Sequence, residues 1–326
     1  MTYRQLGDSG LTVSTVGIGC NNFGRRVDQD GTNAVVRQAI DSGVTLFDTA
    51  DIYGQGASEE MLGLALGSER ENVVVATKFG MDMQGSNGPD WGVRGSRRYI
   101  RKAVEASLRR LGTDWIDLYQ LHRPDPQTPI DETLAALDEL VREGKVRYIG
   151  SSNFTGWQVV DADWTARAAG SARFVSAQNE YSLYNRAAEE ELIPALEHVG
   201  MSLIAYFPLA YGLLTGKYRR GEQAPQGSRL EAENQAHRLA NADWDRIETL
   251  QAFADERGIG LLDVALGGLA AMPAVGSVIA GATRPEQVAS NVRAGLWQPS
   301  ADDLAALAEV NAVRGGGMTH ASFIRS

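Results

Sequence analysis

Short apolar, β-branched runs recur along the chain at Val16–Cys20, Val44–Asp48, Val73–Lys78, Trp115–His122, Val146–Ser151, Phe174–Gln178, Met201–Tyr206 and Val275–Ala280. Runs of this kind predict eight buried strands. Between them the period lengthens to that of a helix: Ile100, Val104, Leu108 and Leu111 share one face, as do Ile130, Leu134, Leu137, Leu140 and Val141. Strands that alternate with helices pair in parallel through helical crossovers, and eight of them can close into a barrel that has no edges. The pattern therefore predicts an α/β fold, a (β/α)8 TIM barrel formed as one domain over residues 1–326. An open doubly wound sheet has the same local pattern. The placement of polar residues at strand ends favours the barrel.

Two connections are longer than simple turns, Gly80–Gly95 after the third predicted strand and Leu209–Asp243 after the seventh. Both follow strands, so both are expected to border the C-terminal mouth of the barrel as lids. The uncharged stretch Val264–Ala282 approaches the length of a bilayer span. Glycines at 267, 268, 276 and 281 and Pro273 divide it, so a buried helix followed by a strand is the better reading. The tail beyond Arg314 opens with three glycines and is expected to drape over the barrel or fray.

Composition narrows the function classes. A hydrophobic share of 43% and a charged share of 22% are those of a globular protein, and 36 glycines suit many strand-to-helix turns. The net charge of −10 opposes binding to phosphate backbones and anionic lipid. Neither a nucleic-acid nor a membrane partner is expected. Arg97, Arg98, Arg101, Lys102, Arg109 and Arg110 form one basic cluster, best read as a solvated helix face. The single cysteine, Cys20, is incompatible with an intrachain disulfide and suits a reducing compartment. It is expected to be buried rather than reactive. Met1–Ser14 does not resemble a secretory signal, and a cytoplasmic location is expected.

Four polar residues fall at or just beyond the ends of early strands: Asp48 and Tyr53 in FDTADIYG, Lys78 in VVVATKFG and His122 in IDLYQLH. In a barrel they converge on one mouth. Carbonyl reduction delivers a proton to oxygen as hydride reaches carbon, and a tyrosine of pKa ~10 needs an activating neighbour to do this near neutrality. The Lys78 ammonium is expected to lower the Tyr53 pKa while Asp48 holds the ammonium in place. A neutral His122 can hydrogen-bond the substrate oxygen. Any one of these residues alone would read as a buried structural group; the four together favour catalysis.

With these residues in place, the chain resembles the aldo-keto reductase superfamily through GVTLFDTADIYG, VVVATKFG, SLRRLGTDWIDLYQLH, GKVRYIGSSNF, QNEYS and AYFPLAYGLLTGKY, in that order. The resemblance runs from the first predicted strand to about Asn291. It implies NADPH (NADP+) as cofactor, a small-molecule aldehyde or ketone as substrate, no metal, and a catalytic tetrad of Asp48, Tyr53, Lys78 and His122. It also implies that Ser152, Asn153 and Gln178 grip the nicotinamide amide and that Tyr206 stacks on its ring. Leu209, Gly212, Leu214 and Lys217 are similar to a loop folded over the pyrophosphate. Gly281, Ala282, Thr283, Arg284, Gln287 and Asn291 are similar to the adenosine end. There Pro285 suits a first helical turn, whose backbone N–H groups attract phosphate beside Arg284. Gly281 stands where many members carry a lysine toward the 2′-phosphate, so NADPH over NADH rests on Arg284.

GIGCNNFG after the first strand fails as a dinucleotide-binding glycine loop, because Asn22 stands where its third glycine belongs. Phe23, Tyr53, Trp91, His122 and Tyr211 are expected to form an aromatic substrate pocket. Two other functions remain: an NAD(P)-dependent sugar or alcohol dehydrogenase running in the oxidative direction, and a cofactor-sensing regulatory subunit of a channel with the same fold. A monomer is favoured.

Overall fold

A computed structural model of the 326-residue chain describes residues 1–232 and 235–312. Two three-residue strands, β1 (Tyr3–Gln5) and β2 (Thr12–Ser14), pair antiparallel with Tyr3 opposite Ser14. Eight parallel strands follow: β3 (Val16–Gly19), β4 (Leu46–Asp48), β5 (Val74–Phe79), β6 (Ile116–Leu121), β7 (Val146–Ser152), β8 (Phe174–Glu180), β9 (Ser202–Tyr206) and β10 (Val275–Gly281). They close in chain order, β10 returning to β3 with Gly281 opposite Gly19. Closure excludes the open doubly wound sheet, and all eight predicted runs lie on barrel strands.

The helical faces pack as their periods require. Ile100, Val104, Leu108 and Leu111 are buried on the helix Arg97–Leu111, which Ser96 caps by accepting Tyr99 N–H and Gly112 ends at φ 63°. Leu134, Leu137 and Leu140 are buried on Ile130–Arg142, with Ile130 and Val141 half-buried beside them. Each leucine withdrawn from water contributes about 1.5–3 kcal/mol. Part of the basic cluster is paired: Arg97 and Arg101 with Glu139, Arg101 also with Glu143, Arg110 with Glu59, and Arg98 lies 3.7 Å over the Trp91 ring. Val264–Ala282 divides as expected, into a helical stretch that is π-helical over Val264–Gly268 and continues to Ala270, and then β10.

The β1–β2 hairpin, which the sequence pattern does not reveal, closes the N-terminal end of the barrel. Leu6, Leu11 and Val13 meet the inward residues Leu46, Ala76, Leu118, Ile204 and Ile279. Gly7 makes this turn possible, because its φ is 54° and a Cβ would lie 2.5 Å from the Val175 carbonyl oxygen. With that end plugged, the open mouth is at the C-terminal ends of the strands. Among the described residues no helix is long and apolar enough to cross a membrane.

Candidate active site

Strand geometry gathers the polar residues at that mouth. Asp48 ends β4, Lys78 lies near the end of β5, and His122 directly follows β6. Tyr53 begins the tight turn Tyr53–Gly56, in which Gly54 and Gln55 have φ of 60° and 57°. Lys78 is fully buried, and its ammonium donates to Asp48 Oδ2 at 2.7 Å, to the Thr49 carbonyl at 2.7 Å and to the Tyr53 hydroxyl at 3.4 Å. The other Asp48 oxygen accepts from Gln178 Nε2 at 2.7 Å and Gln120 Nε2 at 3.3 Å. The Tyr53 and His122 rings stand nearly perpendicular with centroids 5.9 Å apart.

Electrostatics correct one expectation. Burial pushes the Tyr53 pKa up, and this outweighs the opposing pull of the Lys78 ammonium. Tyr53 is therefore a neutral phenol at physiological pH and holds a transferable proton. Burial, reinforced by the Lys78 and Arg123 charges, lowers His122 to about 3, so its imidazole is neutral. Its Nδ1 is buried without a partner among the described residues.

A cleft of about 950 Å³ opens above these groups. Its lining includes Asp48, Tyr53, His122, Ser152, Asn153, Gln178 and Tyr206. It also includes Leu209, Gly212, Lys217, Gly281, Thr283, Arg284, Gln287 and Asn291. Lys78 lies beneath the cleft and reaches it through Tyr53. Asn153, at φ 60°, ties the nearby wall together: its amide donates to the His122 carbonyl and Ser152 Oγ and accepts from the Tyr206 hydroxyl at 2.7 Å. Ser152 Oγ donates to the Gln178 carbonyl at 2.8 Å.

Several expected placements fail. Leu214 is fully buried and its N–H donates to the Leu209 carbonyl, so it belongs to the core of its loop rather than to the cleft. Phe23 is also fully buried, while Trp91 is 69% exposed under Arg98, and neither lines the cleft. Phe207, which approaches Tyr211 at 4.3 Å, supplies the aromatic surface instead. The Gly80–Gly95 connection contributes no lining residue, because Asn87 anchors it to Asp51 and Arg110. Of the backbone N–H groups in the first turn opened by Pro285, that of Gln287 is occupied, donating to the Arg284 carbonyl at 3.1 Å, and the nearby Thr283 N–H donates to Gln287 Oε1 at 2.8 Å. Cys20 is buried.

Gln120 escaped sequence reasoning although strand alternation places it on the face it shares with Lys78, its register partner. Also unforeseen is a buried cluster behind Tyr53. Asp51 is raised to about 8 by burial and by Glu59, against the pull of Arg110, whose Nε lies 2.6 Å from Glu59.

The cleft reverses the charge balance of the chain. Arg26, Arg123, Lys217, Arg229 and Arg284 face it, against the carboxylates Asp48 and Glu286, and Asp48 is already paired with Lys78. This donor set suits a polyanionic ligand such as a phosphorylated dinucleotide. Among the described residues no cluster of three or more metal-ligating side chains occurs.

A family model described as the Aldo/keto reductase family matches residues 15–312. An uncharacterised oxidoreductase of Bacillus subtilis, YrpG, is 37% identical over 302 residues, covering 90% of this chain and 91% of that one. The L-glyceraldehyde 3-phosphate reductase of Escherichia coli K12 is 35% identical, covering 90% of this chain and 87% of the reductase. A probable voltage-gated potassium channel β subunit of Arabidopsis thaliana is 36% identical, with 90% and 91% covered.

Proposed function

This chain belongs to the aldo/keto reductase family and is an oxidoreductase, and on that premise we propose that it reduces an aldehyde or ketone with NADPH, taking the proton from Tyr53. The observation that carries the proposal is the hydrogen-bonded set Asp48–Lys78–Tyr53 beneath an open cleft, with a neutral His122 beside it.

NADPH held in this cleft would supply the hydride. The carbonyl oxygen, gaining charge, is met by two neutral donors, the Tyr53 hydroxyl and the His122 imidazole. Tyr53 gives up its proton to that oxygen, and the Lys78 ammonium stabilises the phenolate left behind. Solvent reaching Tyr53 through the cleft then returns the proton. Asp48 fixes the ammonium, and Gln120 and Gln178 fix Asp48. We assign Ser152, Asn153, Gln178 and Tyr206 to the nicotinamide end, Leu209, Gly212 and Lys217 to the pyrophosphate, and Gly281, Thr283, Arg284, Gln287 and Asn291 to the adenosine end. Charge and the lone buried cysteine favour a cytosolic enzyme acting on small carbonyl compounds rather than on nucleic acid.

Incubation with NADPH and a panel of aldehydes, ketones and sugars tests the reading. Sustained oxidation of NADPH with stoichiometric alcohol is expected. Faster turnover of alcohols with NAD+ would instead favour the oxidative dehydrogenase. Tight NADPH binding without turnover on any carbonyl would refute the reading and favour a cofactor-sensing role, the alternative raised by the similarity to a channel subunit.

A further inference from the structure

The reacting end of the cleft carries a cation that the proposed chemistry does not use. Arg123 follows His122 immediately, lines the cleft and is exposed to it. Among the described residues its guanidinium has no hydrogen bond or ion pair. The acids that could neutralise it are committed elsewhere. Asp125 accepts from Gly95 N–H at 2.6 Å, Thr128 Oγ1 at 2.7 Å and Gln127 N–H at 2.9 Å. Glu180 accepts from Asn185 at 3.2 Å and lines a neighbouring groove rather than this cleft, although its charge, like that of Arg123, bears on Tyr206. Lys78, by contrast, is balanced by Asp48.

Position separates Arg123 from the cations assigned to the cofactor. It follows β6, whereas Lys217 and Arg284 follow β9 and β10. In the closed ring β6 and β10 stand four strands apart, directly across the mouth. A phosphate held by Arg284 is therefore on the opposite rim. The Arg123 charge instead bears on His122 and on Tyr206, the two side chains that flank the reacting position.

Resting on the proposed reduction, we propose that Arg123 forms an anion subsite at the substrate end, so that the enzyme prefers aldehydes or ketones carrying a carboxylate or phosphate a few bonds from the carbonyl. Arginine suits either oxyanion through two parallel N–H donors. Its exposure places the gain at the lower end of charged contacts, about tenfold in affinity, and makes it sensitive to salt.

Matched pairs test the subsite: succinic semialdehyde against butanal, and glycolaldehyde phosphate against glycolaldehyde. In the wild type, kcat/KM should favour the charged member of at least one pair. Arg123→Gln should lower that charged-to-neutral ratio about tenfold, and Arg123→Lys should retain part of it. Calorimetric titration of the alcohol products, 4-hydroxybutyrate and 2-hydroxyethyl phosphate, into the protein with NADP+ gives a readout independent of turnover. Binding should weaken in Arg123→Gln in step with the ratio. Equal binding to wild type and variant, or reduction of neutral aldehydes with no charged preference, overturns the subsite alone. Arginine-dependent product binding without reduction of any aldehyde overturns the reductase reading and supports the subsite. A preference in one pair only assigns the subsite to that oxyanion.

Discussion

Replacing Lys78 by Met keeps an unbranched side chain in a fully buried position and removes only the ammonium. Asp48 then loses its 2.7 Å ion pair and the Thr49 carbonyl its 2.7 Å donor, while the two glutamine amides remain on the other carboxylate oxygen. Leaving a buried charge without its partner costs about 3–5 kcal/mol. Changing Asp48 to Asn at the same time removes that orphaned charge. The double variant should therefore be more stable than the sum of the single losses predicts, by about 1–3 kcal/mol. Equilibrium urea denaturation followed by tryptophan fluorescence measures all four proteins. The sign with pH follows from Lys78 itself. Burial lowers its pKa, but Asp48 and Tyr53 together outweigh burial and raise it above 10.5. The stabilisation it supplies is thus complete below the ordinary lysine value and is lost only as pH rises through the raised one. A loss under about 1 kcal/mol for Lys78→Met near neutral pH, or strict additivity in the double variant, would refute a coupled buried pair.

Arg284→Ala should weaken NADPH by about 1.5–3 kcal/mol, tenfold or more, with little effect on NADH, because only NADPH carries the 2′-phosphate. Fluorescence titrations that show equal losses would remove Arg284 from that role. Asp51, raised to about 8, contributes stability that is full below its ordinary value of 3.8 and is lost as pH rises through about 8. Wild-type stability should therefore fall relative to Asp51→Asn between pH ~5 and ~9 in denaturation experiments. A pH-independent difference would mean that Asp51 is ionised throughout.

The barrel was legible because strands such as Val74–Phe79 and Val275–Gly281 fall in short apolar runs rich in β-branched residues, and because helices such as Arg97–Leu111 repeat their apolar residues at the helical period. The β1–β2 hairpin was not. Its three-residue strands are too short to show alternation, and Leu6, Leu11 and Val13 act only together as a plug. Strand ends foretold that Asp48, Lys78 and His122 gather at one mouth. Loop residues were less readable: Leu214 turns into the core, and Phe23 is buried while Trp91 points outward. Loop side chains take their direction from tertiary packing, and no period marks it. The direction of the Tyr53 shift failed for a related reason. An adjacent ammonium is visible in sequence, but the extent of burial that opposes it is set by the closed fold.

The central claim, that Tyr53 gives the proton, is tested most directly by comparing wild type and Tyr53→Phe for NADPH-dependent reduction of one aldehyde, with NADPH affinity measured on the same preparations. The phenyl ring keeps the packing against His122 and removes only the hydroxyl. The account predicts a loss of turnover of about 10²–10⁴-fold with cofactor affinity unchanged. Turnover near that of the wild type would contradict it.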